Sequence, residues 1–335
     1  MWNRQDTIDL GRTVIQKRRY YLDTKYWIYL MEVERGNGTN VQKEIYDILL
    51  SLSEDGKAIC PISYHSFVEL QKQTDRGSLL ATAKLMDRLS SKICFIPLDG
   101  IFQQELICYI RSKQFEKSGF QPITSLKYVW TKIPYLFGDF DFELPDVPKE
   151  ESTIVLKQFR SFWTDLGLYD LLKRYPNRMP QISHKRIVEH LNEGKDLNQN
   201  WNTFDQICLI ELTGTLGAFE EEAMEILHEL SQSNEKDEPQ SYSALLSMII
   251  SEWKEKKIVA GLPCISIGTL LHSYFRYNKS QRFKENDLDD FGHAAWAIPY
   301  CDAFFTREAR VAEKLGCCFL ALDFAHNSDG CSLWS

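Results

Sequence analysis

The chain has 335 residues, 44% of them hydrophobic and 13% aromatic, which is enough apolar material for a large core and excludes a disordered or fibrous protein. Its formal net charge of -8 argues against a protein that coats duplex DNA through a broad basic surface. The charge does not exclude clustered carboxylates that hold a divalent metal, because such clusters are themselves negative. The nine cysteines have no repeated spacing, which argues against a zinc site and against a disulfide framework.

The amino-terminal residues lack the apolar region and cleavage site of a signal peptide, and no apolar stretch reaches the roughly 18 residues that span a bilayer. We therefore expect a cytoplasmic protein without membrane contact. Two short basic patches, Lys17-Arg18-Arg19 and His184-Lys185-Arg186, are either ordinary solvated surface or guides for an anionic substrate.

The first part of the chain predicts alternating strands and helices. A strand over 19–23 ends at Asp23 and leads into a helix that includes Tyr26–Met31. Apolar spacing then predicts a helix at 41–52, a buried strand at 58–63, a helix at 79–89, a third strand at 93–99 and a helix at 101–111. This alternation favours a parallel sheet with helices on both faces and a site at the carboxyl ends of its strands.

The pattern changes between about 112 and 263, where Pro- and Gly-rich loops accompany helices predicted at 207–230 and 242–257. Afterwards the sequence predicts helices at 269–279 and 286–300, a strand at 302–306, a helix at 307–316 and a last strand at 317–324. We therefore predict a discontinuous α/β domain formed by 1–111 and 264–335, interrupted by a mainly helical insertion at 112–263.

Several acidic residues fall where strands end or the following helices begin. They are Asp23, Glu69, the cluster of Asp287, Asp289 and Asp290, and Glu308. Carboxylates gathered at one sheet edge repel one another unless a cation is bound, and hard oxygen ligands suit Mg²⁺ or Mn²⁺.

Two of these acids also have a purely structural interpretation. Asp23 follows the first strand beside Thr24, whose hydroxyl can orient a carboxylate, but an Asp here can equally cap the next helix. Glu69 is expected in the first turn of the helix after the second strand. It could instead complete a capping box with Ser66.

Asp287, Asp290 and His293 recur at three-residue spacing and are expected on one face of a helix start, whereas Asp289 points elsewhere. Asp290 is the preferred ligand and Asp287 the second choice, although these acids can also simply complement the helix dipole. His293 either supports the site, approaches a phosphate or is structural.

The strand at 302–306 separates Asp302 from Thr306 by about 13 Å at roughly 3.3 Å per residue. Only one end of this strand can therefore contribute to the site. Since Asp23 lies at a carboxyl end, parallel geometry selects Glu308 and makes Asp302 a structural acid.

These segments resemble the PIN-like domain, the fold of many metal-dependent ribonucleases. YYLDT at 20–24 is similar to the family's first strand with its leading Asp, and PISYHSFVEL at 61–70 to its second strand and following helical Glu. DLDDFGHAAWAIPYCDAFFTRE at 287–308 is similar to its acidic helix, its strand and the Thr followed by an acid. The chain departs from the family in having Glu308 beside Arg307 in place of the usual final Asp, and in its long insertion.

The resemblance implies a three-layer α/β/α parallel-sheet domain that hydrolyses phosphodiester bonds to 5′-phosphate and 3′-hydroxyl products. The residues expected to take part in catalysis are Asp23, Glu69, Asp287, Asp290 and Glu308. Those expected to hold Mg²⁺ or Mn²⁺ are Asp23, Glu69, Asp290 and Glu308, and those expected to contact substrate are Thr24, His293, Thr306 and Arg307.

The family favours RNA over DNA as substrate, and an exposed sheet edge suits a single strand. Aromatic residues of the insertion, namely Trp130, Tyr135, Phe137 and Trp163, either stack bases or belong to the core. The alternative to a nuclease is an inactive PIN-like scaffold that binds RNA or a protein. A phosphatase is disfavoured because Lys25 occupies the position of its second acid. The sequence leaves a protein partner or inhibitor, and a homo-oligomer, open.

Overall fold

A computed structural model of the chain describes residues 4–117, 124–138, 155, 158, 161–175, 183–197, 203–231, 241–256, 259 and 261–306. Within these ranges the protein is a mixed α/β structure in which helices predominate over short strands. The helices are α1 (Arg4–Val14), α2 (Thr24–Glu34), α3 (Asn40–Glu54), α4 (Tyr64–Leu70), α5 (Arg76–Ser90), α6 (Leu98–Lys117), α7 (Leu168–Arg174), α8 (Lys185–Leu197), α9 (Phe204–Ala218), α10 (Glu220–Ser231), α11 (Tyr242–Lys256), α12 (Pro263–Tyr277) and α13 (Glu285–Tyr300). The strands are β1 (Arg18–Leu22), β2 (Ala58–Ile59), β3 (Ile93–Phe95), β4 (Trp130–Lys132) and β5 (Ala303–Phe305).

The chain divides into two compact units, each discontinuous in sequence. The first unit comprises Met1–Pro97 and Lys127–Gln181, and the second comprises Leu98–Leu126 and Ile182–Ser335. The expected division into a domain of 1–111 with 264–335 and an insertion at 112–263 stays a prediction, since compactness alone does not identify a catalytic domain.

The strands of the first unit confirm the expected parallel pairing only in part. β1 pairs in parallel with β2, in the register Arg18 to Ala58 and Arg19 to Ile59. An isolated parallel bridge joins Ile62 to Cys94 of β3. β3 then pairs antiparallel with β4, so this region of the first unit mixes both strand directions.

Strands predicted at 58–63 and 93–99 are shorter in the structure. β2 ends at Ile59, shortly before Pro61, because a proline cannot donate a hydrogen bond to a strand ladder. β3 ends at Phe95, before Pro97, and α6 already begins at Leu98 with Asp99 in its first turn. In both cases the apolar run continues into the core without continuing as a strand.

The helix predicted at 41–52 is α3, and its start is fixed by a capping box. Thr39 Oγ1 accepts a hydrogen bond from the Gln42 N–H at 3.3 Å, and Gln42 Oε1 accepts one from the Thr39 N–H at 2.9 Å. Its apolar residues are less buried than their spacing predicts, since Val41 and Ile48 are 65% and 52% exposed. Helical periodicity therefore gave the correct element but not the extent of its burial.

The single helix predicted over 207–230 is two helices in the structure. α9 ends at Ala218, and Phe219 stacks on Phe102 with 4.2 Å between ring centroids. α10 begins at the next residue with three glutamates in its first turn, where the helix dipole favours negative charge. The glycines of α9 lie inside the helix and do not end it.

Trp130 is a core residue of the first unit and not a surface for stacking bases. It is fully buried, and its ring lies 4.7 Å from that of Phe95, which in turn lies 6.1 Å from the ring of Tyr21. Phe137 is 41% exposed and packs edge-on against Phe67. Of the four aromatic candidates, Phe137 thus retains the most accessible ring, since Tyr135 and Trp163 are half-buried.

The second unit is built around α6, with apolar residues of α9, α10, α11 and α12 packed on it. Within this core lies a buried polar network. Glu105 of α6 is fully buried, and its carboxylate accepts hydrogen bonds from the Cys264 N–H at 2.7 Å and from the Tyr300 hydroxyl. The Tyr300 hydroxyl also lies 3.1 Å from Ser125 Oγ. Burial raises the pKa of Glu105 to about 8.

The helix predicted at 307–316 and the strand predicted at 317–324 lie outside the described residues. No helix within the described ranges is long and apolar enough to cross a membrane.

Candidate functional site

Asp23 lies immediately after the carboxyl end of β1 and is only 7% exposed. It is the N-cap of α2, and its Oδ1 accepts a hydrogen bond from the Tyr26 N–H at 3.2 Å. The expected position at a strand end is confirmed, and so is the capping interpretation. The two roles are compatible, because a carboxylate has two oxygens with about four lone-pair sites.

Thr24 follows Asp23 in the chain and is the first residue of α2. Its Oγ1 is buried and has no hydrogen-bond partner among the residues that the structure describes. Buried hydroxyls of this kind are usually satisfied by protein, water or a ligand. The Asp23–Thr24 pair therefore provides oxygen donors of the type that a hard divalent cation binds.

A cluster of three hydroxyl groups, from Tyr21, Ser63 and Ser66, joins β1 to α4. The Tyr21 hydroxyl lies 2.5 Å from Ser63 Oγ and 3.2 Å from Ser66 Oγ. Ser63 is also the N-cap of α4, where its Oγ accepts a hydrogen bond from the Ser66 N–H at 3.1 Å. These buried contacts fix the end of β1 relative to the helix that carries Glu69.

Glu69 occupies the next-to-last position of α4 and is half-buried. The expectation that it lies in the first turn is wrong, because α4 begins at Tyr64. The alternative capping box with Ser66 is also wrong, since the N-cap is Ser63. Glu69 thus keeps no capping role at this helix start.

At the start of α13, Asp287 is 4% exposed and closes a capping box, with its Oδ2 accepting a hydrogen bond from the Lys284 N–H at 2.8 Å. The structural alternative expected from the sequence was complementing the helix dipole, and Asp287 does lie in the first turn of α13. Asp290, the preferred ligand, is half-buried, and His293 is 2% exposed. Their roles as ligand and substrate contact stay predictions.

Asp289, which was expected to point away from the face of Asp287 and Asp290, has a partner on another helix segment. It is 3% exposed, and its Oδ1 lies 3.4 Å from Nε2 of His184, the residue before α8. Next to this pair, Ser183 Oγ donates to Glu285 at 3.2 Å. The basic patch at 184–186 was the only sequence signal for this contact, and it gave no indication of the acidic partner 105 residues away.

The remaining candidates lie around β5. Asp302 precedes this strand and Thr306 follows it, both half-buried, as the expected strand requires. Arg307 and Glu308 lie outside the described residues, so the fourth expected ligand stays a prediction.

The expected site residues belong to different units. Asp23, Thr24 and Glu69 lie in the first unit, whereas Asp287, Asp290, His293 and Thr306 lie in the second. In the described parts of the chain, no group of three or more His, Cys, Asp or Glu side chains is placed to hold a metal ion. Comparison with family models, with curated proteins and with solved structures gives no match for this chain.

Proposed function

We propose that this chain is a divalent-metal-dependent nuclease of the PIN-domain type that hydrolyses phosphodiester bonds of single-stranded RNA. The observation that carries the proposal is the position of Asp23, a buried carboxylate directly after the carboxyl end of a strand in a parallel pair. Ligand sites of parallel sheets form at such ends. The neighbouring Thr24 hydroxyl, buried without a partner in the described chain, adds a second oxygen that needs a ligand or a water.

In this proposal Asp23, Glu69, Asp290 and Glu308 hold Mg²⁺ or Mn²⁺, with Asp287 as the alternative to Asp290. When bound, such an ion supplies a water of lowered pKa and positive charge opposite the phosphate oxygens. Carboxylates fit this task because both cations prefer hard oxygen ligands. The N-cap bond of Asp23 restricts its rotamer, which orients the carboxylate before any ligand arrives.

The other expected contacts act on the substrate. The Thr24 hydroxyl can donate a hydrogen bond to a phosphate oxygen or to a bound water. Thr306 and Arg307 would contact the phosphate, with the guanidinium forming the stronger, bidentate interaction. Phe137, which is 41% exposed, is the aromatic candidate for stacking an unpaired base, and this favours single-stranded RNA over a duplex.

A second candidate function, a non-catalytic PIN-like scaffold that binds RNA or a protein, is favoured by a specific observation. Three buried acids have structural partners, since Asp23 and Asp287 cap helices and Asp289 pairs with His184. An acid with a structural role needs no catalytic one. The experiment must therefore separate the loss of a cap from the loss of a ligand.

Asp75 offers a matched control for Asp23. It is the N-cap of α5 in the same unit, and its Oδ2 accepts a hydrogen bond from the Ser78 N–H at 2.6 Å. Asparagine keeps a capping oxygen, so Asp23→Asn and Asp75→Asn remove the same charge while preserving both caps. Labelled single-stranded RNA and DNA would be incubated with each protein, with and without Mn²⁺.

We expect metal-dependent cleavage of RNA by the wild type and by Asp75→Asn, and a loss of at least about 100-fold in Asp23→Asn, comparable to losing a major transition-state contact. Cleavage that survives Asp23→Asn would remove Asp23 from the site. No cleavage by folded wild-type protein that binds Mn²⁺ in calorimetry would contradict the nuclease and favour the scaffold.

A further inference from the structure

Three lysines gather at one edge of the strands in the first unit. Lys17 directly precedes β1 and Lys92 directly precedes β3, and both strands run parallel to the 58–62 segment. Lys132 of β4 stands opposite Ile93, the first residue of β3. All three side chains are half-buried. They lie at the amino-terminal edge of β1 and β3, opposite the end occupied by Asp23.

Hydrogen bonds to backbone carbonyls hold two of the ammonium groups in place. Lys132 Nζ donates to the Ser91 carbonyl at 3.3 Å, and Lys92 Nζ donates to the Asp165 carbonyl at 2.7 Å. None of the three lysines forms an ion pair with a residue that the structure describes. Each ammonium therefore keeps hydrogen-bond donors for a further partner.

The backbone between α5 and β3 adopts an unfavourable conformation at this place. Ser91 and Lys92 have φ values of 53° and 59°, in the left-handed region that side chains other than glycine rarely adopt. A glycine at position 92 would adopt this conformation without steric strain.

The charges of the cluster repel one another. Burial lowers the pKa of the Lys132 ammonium, and the nearby charges of Lys92 and Lys17 lower it further. The buried Cys94 and the exposed Asp165 act in the opposite direction and raise the pKa of Lys132. Repulsion among partly buried cations without direct ion pairs is relieved by binding an anion.

We propose that Lys17, Lys92 and Lys132 form a binding site for a phosphate group. A phosphate presents several oxygens with up to two negative charges, so it can accept from three separate ammonium groups at once, whereas a carboxylate presents only two oxygens. Lysine binds phosphate as a compact point charge, which suits a site assembled from three chain segments.

The site does not depend on the proposed cleavage. Asp23 lies six positions after Lys17 along extended chain, which corresponds to about 20 Å at roughly 3.3 Å per residue. The phosphate can come from a nucleic-acid strand that passes this edge or from a small phosphorylated ligand. Binding to either source is measurable in the Asp23→Asn protein, in which the expected cleavage is removed.

The first test measures binding of a short labelled single-stranded RNA and, separately, of inorganic pyrophosphate to Asp23→Asn protein. Lys17→Gln, Lys92→Gln and Lys132→Gln should each weaken binding about tenfold, the size expected for one charge-assisted hydrogen bond. Each should also reduce the salt slope of RNA binding by about 0.7.

Lys57→Gln is the matched control, because Lys57 directly precedes β2 but its ammonium is already paired with Asp55 at 2.7 Å. It should leave both affinities unchanged.

The second test needs no substitution and so does not depend on the folding of a variant. Lysine acetylation of the wild type, read by mass spectrometry with and without pyrophosphate or RNA, should show protection of Lys17, Lys92 and Lys132 but not of Lys57. Protection by RNA alone would assign the site to a strand, and protection by both would assign it to phosphate in general. Equal affinities in the lysine variants and Lys57→Gln, or no protection by either ligand, would overturn the proposal.

Discussion

Asp87 of α5 accepts a hydrogen bond from the backbone N–H of Leu168, with 2.6 Å between Oδ1 and the nitrogen. Its other oxygen accepts from the Tyr169 N–H at 2.9 Å. The carboxylate of one helix thus caps the first turn of another, α7, which is 81 residues further along the chain. Burial raises the pKa of this carboxyl to about 6, although both hydrogen bonds lower it.

The stability linked to Asp87 should depend on pH between its two pKa values. The pKa of Asp87 is about 6 in the folded protein and 3.8 ordinarily. Its contribution to the free energy of unfolding is therefore fully present below about pH 3.8 and is lost as the pH rises through about 6. We expect Asp87→Asn, which does not titrate, to gain about 3 kcal/mol relative to the wild type over this interval. Urea unfolding at a series of pH values measures the difference.

Asp75 gives the control with the opposite sign. A hydrogen bond from Ser78 lowers the pKa of this exposed carboxyl. Its contribution is therefore present above the ordinary value and lost as pH falls through the lowered one. The stability differences of Asp75→Asn and Asp87→Asn from the wild type should therefore change with pH in opposite directions. A change in the same direction would show that the burial of Asp87 does not cause its pH dependence.

Gly167 leaves room for the Asp87 cap. A Cβ at this position would lie 2.4 Å from Asp87 Oδ2, so Gly167→Ala must displace the carboxylate from the start of α7. We expect a loss of about 1 to 3 kcal/mol in the free energy of unfolding. The loss should shrink when Asp87→Ala is already present, because adjacent substitutions are not additive. Gly214→Ala, with no atom near its Cβ inside α9, should instead stabilise by up to about 1 kcal/mol.

The side chain of Lys195, in α8, caps the carboxyl end of α12. Its ammonium donates to the Phe275 carbonyl at 2.7 Å and also to the carbonyls of Asn278 and Gln281, and the residue is 5% exposed. Lys195→Met keeps the length of the side chain but leaves these oxygens without a donor, so we expect a loss of about 3 kcal/mol in thermal or urea unfolding. Lys185→Met, on an exposed part of the same helix, should change stability by less than about 0.5 kcal/mol. Equal effects of the two substitutions would contradict the capping role.

Glu105 should make the second unit more stable in mild acid than in base. Its folded-state pKa of about 8 lies above the ordinary 4.5, so the linked stability is present below about pH 4.5 and is lost as pH rises through about 8. Glu105→Gln should therefore gain at least about 2 kcal/mol relative to the wild type between pH 5 and pH 8, on a scale of 1.36 kcal/mol per unit of pKa. Urea unfolding at both pH values measures this gain, and a constant difference between the two proteins would show that the carboxyl does not titrate in this range.

Local patterns in the sequence identified elements well where one signal dominated. The aromatic run before Asp23 predicted β1, and the helical spacing of apolar residues at 41–52 predicted α3. The ends of β2 and β3 were missed because an apolar run marks burial and not hydrogen bonding. The break at Phe219 depends on its stacking with Phe102, a contact that no local window contains.

The polar contacts were the least predictable part of the structure. A glutamate inside a helix, such as Glu105, usually faces solvent, and its partner Tyr300 is 195 residues away. The contact between His184 and Asp289 could not be predicted for the same reason, because the two residues are far apart in the sequence. For Asp23 the sequence correctly placed the residue but could not choose between cap and ligand, because both roles need a carboxylate at a strand end.

The shared hydroxyls of Tyr21, Ser63 and Ser66 also constrain how this protein can change during evolution. Removing any one of them withdraws a hydrogen-bond partner from the other two, so the tolerance of each position depends on what occupies its neighbours. Substitutions at these three positions should therefore be inherited together, and the order in which they arise should matter.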